Sequence, residues 1–243
     1  MIAAWSREAE RSSPMSRTLE HPRYERKFVT DRLTVPEVLA IVRRHPAAFR
    51  EVYPARRVNN LYLDSHDLRD FYDHINGVGH RKKTRIRWYG TPVGLINAPT
   101  LEQKLKRGLV SGKVSHRLPP VPVNGHVSRA DLEDVLDSAS LPGLTRSSLR
   151  HLQPSLVNSY WRHYFLSADR RFRLTVDSNL EFSAVHQSDG NGAGLCISAR
   201  TLVVELKFSL DEADGADYIT NALPLRLARC SKYVLGINSL SAC

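Results

Sequence analysis

The chain alternates between two hydrophobic rhythms. Period-two alternation predicts strands near residues 22–29, 56–64, 80–89, 100–106, 159–166, 170–177, 180–186 and 201–208. Helical spacing of Val38, Leu39, Ile41 and Val42 predicts a helix ending near His45. Its start is marked twice, by Thr34 and Glu37 at capping-box spacing and by Pro36 in the first turn. Further helices are predicted from Ser128, a candidate cap, through Leu132, Val135 and Leu136, over 145–152, and from Asp211 to about Leu223, just before Pro224. Residues 107–128 and 187–199 read as loops. Residues 1–20 are polar and aperiodic and read as a disordered leader, within which Met15 offers an alternative start. Residues 21–243 read as one domain.

The polar positions of these strands carry an unusual bias. Successive strand side chains point to opposite faces. Arg81, Lys83, Arg85 and Arg87 therefore share one face, with Ile86 and Trp88 on the other. Glu102, Lys104 and Lys106 oppose Leu101 and Leu105. Glu205 and Lys207 oppose Leu202, Val204, Leu206 and Phe208. Arg171, Arg173 and Thr175 oppose Phe172, Leu174 and Val176; Arg162 and Tyr164 oppose Trp161 and Phe165; Arg23, Glu25 and Lys27 oppose Tyr24 and Phe28. Any one of these strands could simply show its polar face to water. Four cations in a row could not do so cheaply, because like charges side by side destabilise a sheet. Arginine dominates that row, and its planar fork suits bidentate phosphate contacts.

Composition sharpens this picture. The 243 residues hold 35 Lys+Arg against 25 Asp+Glu, a formal charge of +10, which points to an anionic partner. A hydrophobic fraction of 42% excludes global disorder. Cys196, Cys230 and Cys243 are too few and too scattered for a disulfide scaffold or zinc cage, which favours a reducing, cytoplasmic setting. No apolar run approaches the roughly 18 residues of a membrane span. Gly190-Asn191-Gly192-Ala193-Gly194 lacks the Gly-Lys-Ser/Thr ending of a phosphate loop and reads as a flexible hairpin. The histidines show no metalloprotease or zinc spacing. Tyr160, Trp161 and Tyr164 read as packing groups rather than base-stacking platforms. No helix-turn-helix, RNP or zinc-finger pattern supports a specific nucleic-acid partner.

One geometry reconciles all six strands. In a closed antiparallel barrel, interior residues alternate with exterior ones along every strand. Charged faces turned inward would line a lumen with cations and a few carboxylates, and the apolar faces would be covered by amphipathic helices. The fold expected is α+β, mainly antiparallel β, with a closed barrel, a charged lumen and flanking helices.

The fragments Arg23-Tyr24-Glu25-Arg26-Lys27-Phe28, Leu61-Tyr62-Leu63-Asp64, Arg85-Ile86-Arg87-Trp88-Tyr89, Leu101-Glu102-Gln103-Lys104, Ser159-Tyr160-Trp161-Arg162-His163-Tyr164, Arg173-Leu174-Thr175-Val176-Asp177, Val204-Glu205-Leu206-Lys207 and Ser231-Lys232-Tyr233 run in order over residues 22–240. Together they resemble the VTC domain, the polyphosphate polymerase module of vacuolar transporter chaperones, within the CYTH or triphosphate tunnel superfamily. The first strand reads Arg23-x-Glu25-x-Lys27 where the wider superfamily often has ExExK, and so is more similar to the polymerase branch.

The resemblance implies a closed eight-stranded antiparallel tunnel that binds triphosphate and a divalent metal, Mn²⁺ or Mg²⁺. It implies phosphate contacts from Lys27, Arg85, Arg87, Lys104, Arg162, Arg173, Arg229 and Lys232. Catalytic roles would fall to Arg85, Arg87, Lys104, Arg162, Arg173 and Lys207, and Glu205 would hold the metal with support from Glu25. The implied activity moves the terminal phosphate of ATP onto inorganic polyphosphate. Triphosphate hydrolysis and non-catalytic polyphosphate sensing on the same fold are the alternatives, and recruitment by a membrane protein stays open. Which of Lys106, Lys113 and Arg117 faces the lumen is undecided by the sequence, and so is whether Ser231-Lys232 is only a helix terminus.

Overall fold

The computed structural model describes residues 23–107, 110–123, 129–185 and 196–242. The expected leader, the Ser128 cap and the Gly190–Gly194 hairpin lie outside them.

Antiparallel ladders order nine strands as β12-β1-β11-β9-β8-β2-β3-β5-β6, with β10 added beside β9. These are β1 (Arg23–Thr30), β2 (Arg50–Asp64), β3 (His80–Tyr89), β5 (Thr100–Arg107), β6 (Val110–Arg117), β8 (Gln153–Leu166), β9 (Arg173–Ala184), β10 (Cys196–Ala199), β11 (Leu202–Ser209) and β12 (Arg226–Leu227). A two-stranded ribbon pairs β4 (Gly94–Ile96) with β7 (Val121–Val123). The expected closed barrel of eight strands is corrected on one point. Among the described residues no ladder joins β6 to β12, so hydrogen bonding leaves the sheet open. The sheet nonetheless curls far enough for Lys104 on β5 to meet Glu25 on β1, Nζ to Oε1 at 2.8 Å.

Apolar faces point outward, as alternation requires, and helices cover them. Helices α1 (Val35–Arg44) and α5 (Ala213–Ala222) pack Val38, Val42, Ala216 and Ile219 on Phe28, Leu174, Val176, Val204 and Leu206. The capping box starting α1 is present: Glu37 Oε2 accepts from the Thr34 amide and hydroxyl, each at 2.7 Å. Helices α3 (Arg129–Ser138) and α4 (Gly143–Leu149) pack Leu132, Val135, Leu136 and Leu149 on Leu61, Leu63, Ile86, Trp88 and Leu101.

Two further helices sit on the other, concave face: one has no sequence signal, and the other starts at Ser231-Lys232, where the sequence left a helix terminus open and Ser231 is the N-cap. They are α2 (Arg69–Ile75) and α6 (Lys232–Ser241). Phe71, Tyr233 and Ile237 join Val58, Tyr62, Leu156, Tyr160, Leu180, Phe182 and Val203 in an inner cluster. Fully buried Asp64 ties the two helices together. It accepts from the Asp70 and Phe71 amides at 2.9 and 3.0 Å and from the Tyr233 hydroxyl at 2.6 Å. The concave face is therefore apolar at the end under α6 and polar beyond it.

The seating of α6 is tight. A Cβ built on Gly236 would fall 2.5 Å from Phe182 and 2.6 Å from Leu156. Gly236→Ala is expected to lower unfolding free energy by about 1–3 kcal/mol through overpacking, read from urea denaturation. An unchanged or raised midpoint would show that α6 shifts freely on the sheet.

Candidate functional site

Pleat and register decide which side chains share the concave face. Register pairs Lys27 with Glu205 and Glu25 with Lys207 between β1 and β11. Arg85 opposes Glu102 and Lys83 opposes Lys104 between β3 and β5, and Lys104 opposes Lys113 between β5 and β6. Arg162 opposes Asp177 between β8 and β9. In each of these pairs one charged position meets another across the strands, and Lys232 joins them from the first turn of α6.

Four carboxylates organise the cations. Glu102 accepts from Arg85 Nε and Nη2 at 2.8 and 2.6 Å, lies 3.5 Å from Arg87 Nη1, and also takes Lys113. Asp177 accepts from Arg162 at 2.5 and 2.7 Å and from Lys232 at 2.5 Å. Glu25 pairs with Lys27 at 2.9 Å and Lys104 at 2.8 Å. Glu205 pairs with Lys207 at 2.8 Å and lies 3.9 Å from Lys27. Arg87 also donates to Asn60 Oδ1 at 2.9 Å and to the Tyr160 hydroxyl at 3.3 Å. The Tyr160 ring lies beneath Arg162 and Lys232, at 5.2 and 4.8 Å from its centre.

These surroundings set the protonation states. Burial would raise the Glu205 carboxyl, but Lys207, Lys27 and Arg162 hold it well below the usual range. Asp177 is lowered against its burial by Arg162 and Lys232. Lys83 goes the other way. Burial, with Lys27, Arg85 and Lys104 close by, pushes it well below the ordinary lysine range. Its hydrogen bond goes to Ser231 Oγ at 2.6 Å, and among the described residues no carboxylate pairs with it.

Glu102 gives a pH prediction. Burial raises its carboxyl, yet Arg85, Arg87 and Lys113 outweigh that and hold it at about 2 rather than 4.5. A depressed acid contributes stability that is fully present above its unfolded pKa and is lost as pH falls through the folded one. The thermal midpoint should therefore drop between about pH 4.5 and pH 2, and Glu102→Gln should flatten that drop. A parent and variant with parallel profiles would contradict this.

Of the residues expected from sequence, Lys27, Arg85, Arg87, Lys104, Arg162, Lys207, Lys232, Glu25 and Glu205 come together here. Arg173 shares the face of Thr175 and Asp177 but is exposed, with no ion pair among the described residues. Arg229 is exposed just before α6, near enough to Lys106 to help lower that lysine's pKa, behind burial, Arg81 and Lys104. The undecided trio resolves by parity and contact. Lys106 shares the face of Glu102 and Lys104; Lys113 reaches Glu102; Arg117 lies on the same face of β6 as Lys113.

Glu102, Asp177, Lys83 and Asn60 join the site without having been singled out from sequence, while Tyr160, expected to pack, also meets Arg87, and Ser231, a candidate helix terminus, also meets Lys83. Parity already placed Glu102 beside Lys104, and Asp177 sits at the same parity as Arg173, so both signals were present.

Glu25 and Glu205 flank the Lys27 ammonium and offer hard oxygen donors. Among the described residues no group of three His, Cys, Asp or Glu converges. The pair thus fits an ion that takes its remaining ligands from phosphate and water, as Mg²⁺ commonly does.

The model of one protein family, the VTC domain, matches residues 22–241. The chain belongs to the VTC domain family. No curated protein matches it. Among solved structures, this VTC domain is similar to a candidate adenylate cyclase of Vibrio parahaemolyticus at 11% identity and TM-score 0.49, covering 88% of this chain and 98% of that one. It is also similar to a candidate adenylyl cyclase of Hippeastrum reported to have a dominant triphosphatase activity, at 13% identity and TM-score 0.48, covering 89% and 96%. Among the described residues of this VTC domain, no helix is long and apolar enough to cross a membrane.

Proposed function

We propose that this VTC domain is a metal-dependent polyphosphate polymerase that transfers the terminal phosphate of ATP to a growing polyphosphate chain. The observation that carries the reading is a charge imbalance. Eight cations on the concave face share four carboxylates, and Lys83 and Arg173 have none among the described residues. Such a face favours a ligand with many negative charges in line. Each charge-assisted hydrogen bond to a phosphate oxygen contributes about 1.5–3 kcal/mol.

In the proposed step, an oxygen of the chain's terminal phosphate attacks the γ-phosphorus of ATP. The bond from that phosphorus to the β–γ bridging oxygen breaks, and ADP leaves with its electron pair. The transition state is loose, so the protein's work is placement and charge stabilisation rather than covalent chemistry. Arg85, Arg87, Lys104, Arg162, Arg173 and Lys207 would let one anion approach another. Lys27, Arg229 and Lys232 would hold neighbouring phosphates. Glu205, supported by Glu25, would hold Mn²⁺ or Mg²⁺, which when bound supplies further neutralisation of phosphate oxygens.

Purified protein given ATP and Mn²⁺, with and without a short polyphosphate primer, is expected to lengthen chains with one ADP released per phosphate added. Free phosphate without polymer would replace this reading with hydrolysis. Polyphosphate binding without turnover would leave a binding module, and displacement of tripolyphosphate by DNA would point to nucleic acid.

A further inference from the structure

Beside the phosphate-facing cations lie aromatic side chains that the proposed transfer does not use. Tyr53 on β2 and Tyr164 on β8 meet edge to face, with ring centres 6.0 Å apart and planes at 87°. The Arg56 guanidinium lies 5.0 Å from the centre of the Tyr53 ring and 5.8 Å from that of Tyr164. Tyr89, near enough to Tyr164 to influence its ionisation, is exposed, and Tyr53 is 54% exposed.

Two observations set this group apart from ordinary packing. The first is a register irregularity around Pro54. Three residue steps of β2, from Tyr53 to Arg56, span the same distance as two steps of β8, from Tyr164 to Arg162. A strict two-residue period would put Tyr53 and Arg56 on opposite faces; the bulge turns both to the side of Tyr164 and Arg162. The second is that Arg56 has no ion pair with a carboxylate among the described residues, and its guanidinium lies over the two tyrosine rings instead.

The location matters as much as the chemistry. Tyr164 stands two residues along β8 from Arg162, about 7 Å. Its cross-strand neighbour Thr175 in turn opposes Glu205. A flat group laid on Tyr53 would therefore sit about one sugar's reach from phosphates held at Arg162.

We propose that Tyr53, Arg56 and Tyr164 form a binding site for the base of the nucleotide substrate, with its phosphates directed toward Arg162. This rests on the reading that ATP is the phosphate donor. It also revises the expectation that Tyr164 only packs. Stacking on an exposed tyrosine ring and a guanidinium accepts any base. The site would thus separate nucleoside triphosphates from tripolyphosphate without choosing strongly among bases.

Calorimetric titration of ATP and of tripolyphosphate into the parent, Tyr53→Ala and Tyr53→Phe proteins tests this. Tyr53→Ala is expected to weaken ATP by about tenfold and leave tripolyphosphate unchanged, while Tyr53→Phe retains ATP affinity. Because Tyr53 is exposed, the thermal midpoint of the variant should match the parent. A loss shared equally by both ligands, or no loss of ATP affinity, would overturn the base site while leaving the phosphate site standing. A parent protein that binds neither ligand would overturn the phosphate reading, and the base site with it.

Discussion

Replacing Asp177 with alanine is expected to lower the free energy of unfolding by about 3–5 kcal/mol in urea denaturation at neutral pH. Asp177 is wholly buried and is the shared acceptor for Arg162 and Lys232. Removing it leaves two neighbouring cations with little water and no counter-charge, the costly way to break a buried pair. The proposed ligand supplies what the variant lacks. An anion that binds only the folded protein stabilises it in proportion to occupancy. Tripolyphosphate should therefore raise the midpoint of the variant more than that of the parent. A variant as stable as the parent would show that Arg162 and Lys232 reach solvent and that this end of the site is not enclosed.

Glu205→Gln is expected to reduce metal-dependent turnover by at least about a hundredfold, because a bound cation contributes several kcal/mol of charge stabilisation to phosphoryl transfer. Binding should behave differently. Lys207 and Lys27 lose a competing carboxylate and become freer to meet phosphate, so polyphosphate affinity should hold or rise. Turnover measured over a Mn²⁺ titration, beside polyphosphate binding without metal, separates the two effects. Full activity in the variant would remove Glu205 from the metal assignment.

Those two carboxylates show how far the sequence reaches. Alternation along β1, β3, β5 and β11 placed Lys27, Arg85, Lys104 and Glu205 on one face correctly, because a strand's period fixes the side to which each residue points. It could not say which charges meet, since that depends on register between distant strands. The faces of Asp177 and Glu102 were therefore legible, but not the cations they share.

The elements that went unread share a physical cause: they are held by partners remote in sequence. Strand β6 contains Gly112-Lys113-Val114-Ser115, too poor in apolar alternation to signal itself, and its place comes from the ladder with β5. Helix α2 has only seven residues and begins after Leu68 at φ 55°, yet its first amides are capped by Asp64. Helix α6 buries Tyr233, Gly236 and Ile237 against strands from across the chain, so its packing overrides any local propensity. Strand β9 is continuous where the sequence predicts two strands, 170–177 and 180–186, and at that break it passes through Asn179 at φ 51°, next to the register shift opposite Ser159 and Trp161. Parity describes faces rather than edges, so alternation along the strands could not show whether the two edges of the sheet join.

The central claim is that the shared cations of the concave face are there to hold linked phosphoryl groups. Crystals grown with a non-hydrolysable ATP analogue and Mn²⁺ test it most directly. The account predicts phosphates ordered among Arg85, Arg87, Arg162 and Lys232, with the metal on Glu205. Phosphates ordered on the helix-covered outer face, with the Glu102 and Asp177 ion pairs undisturbed and no ligand between them, would contradict it.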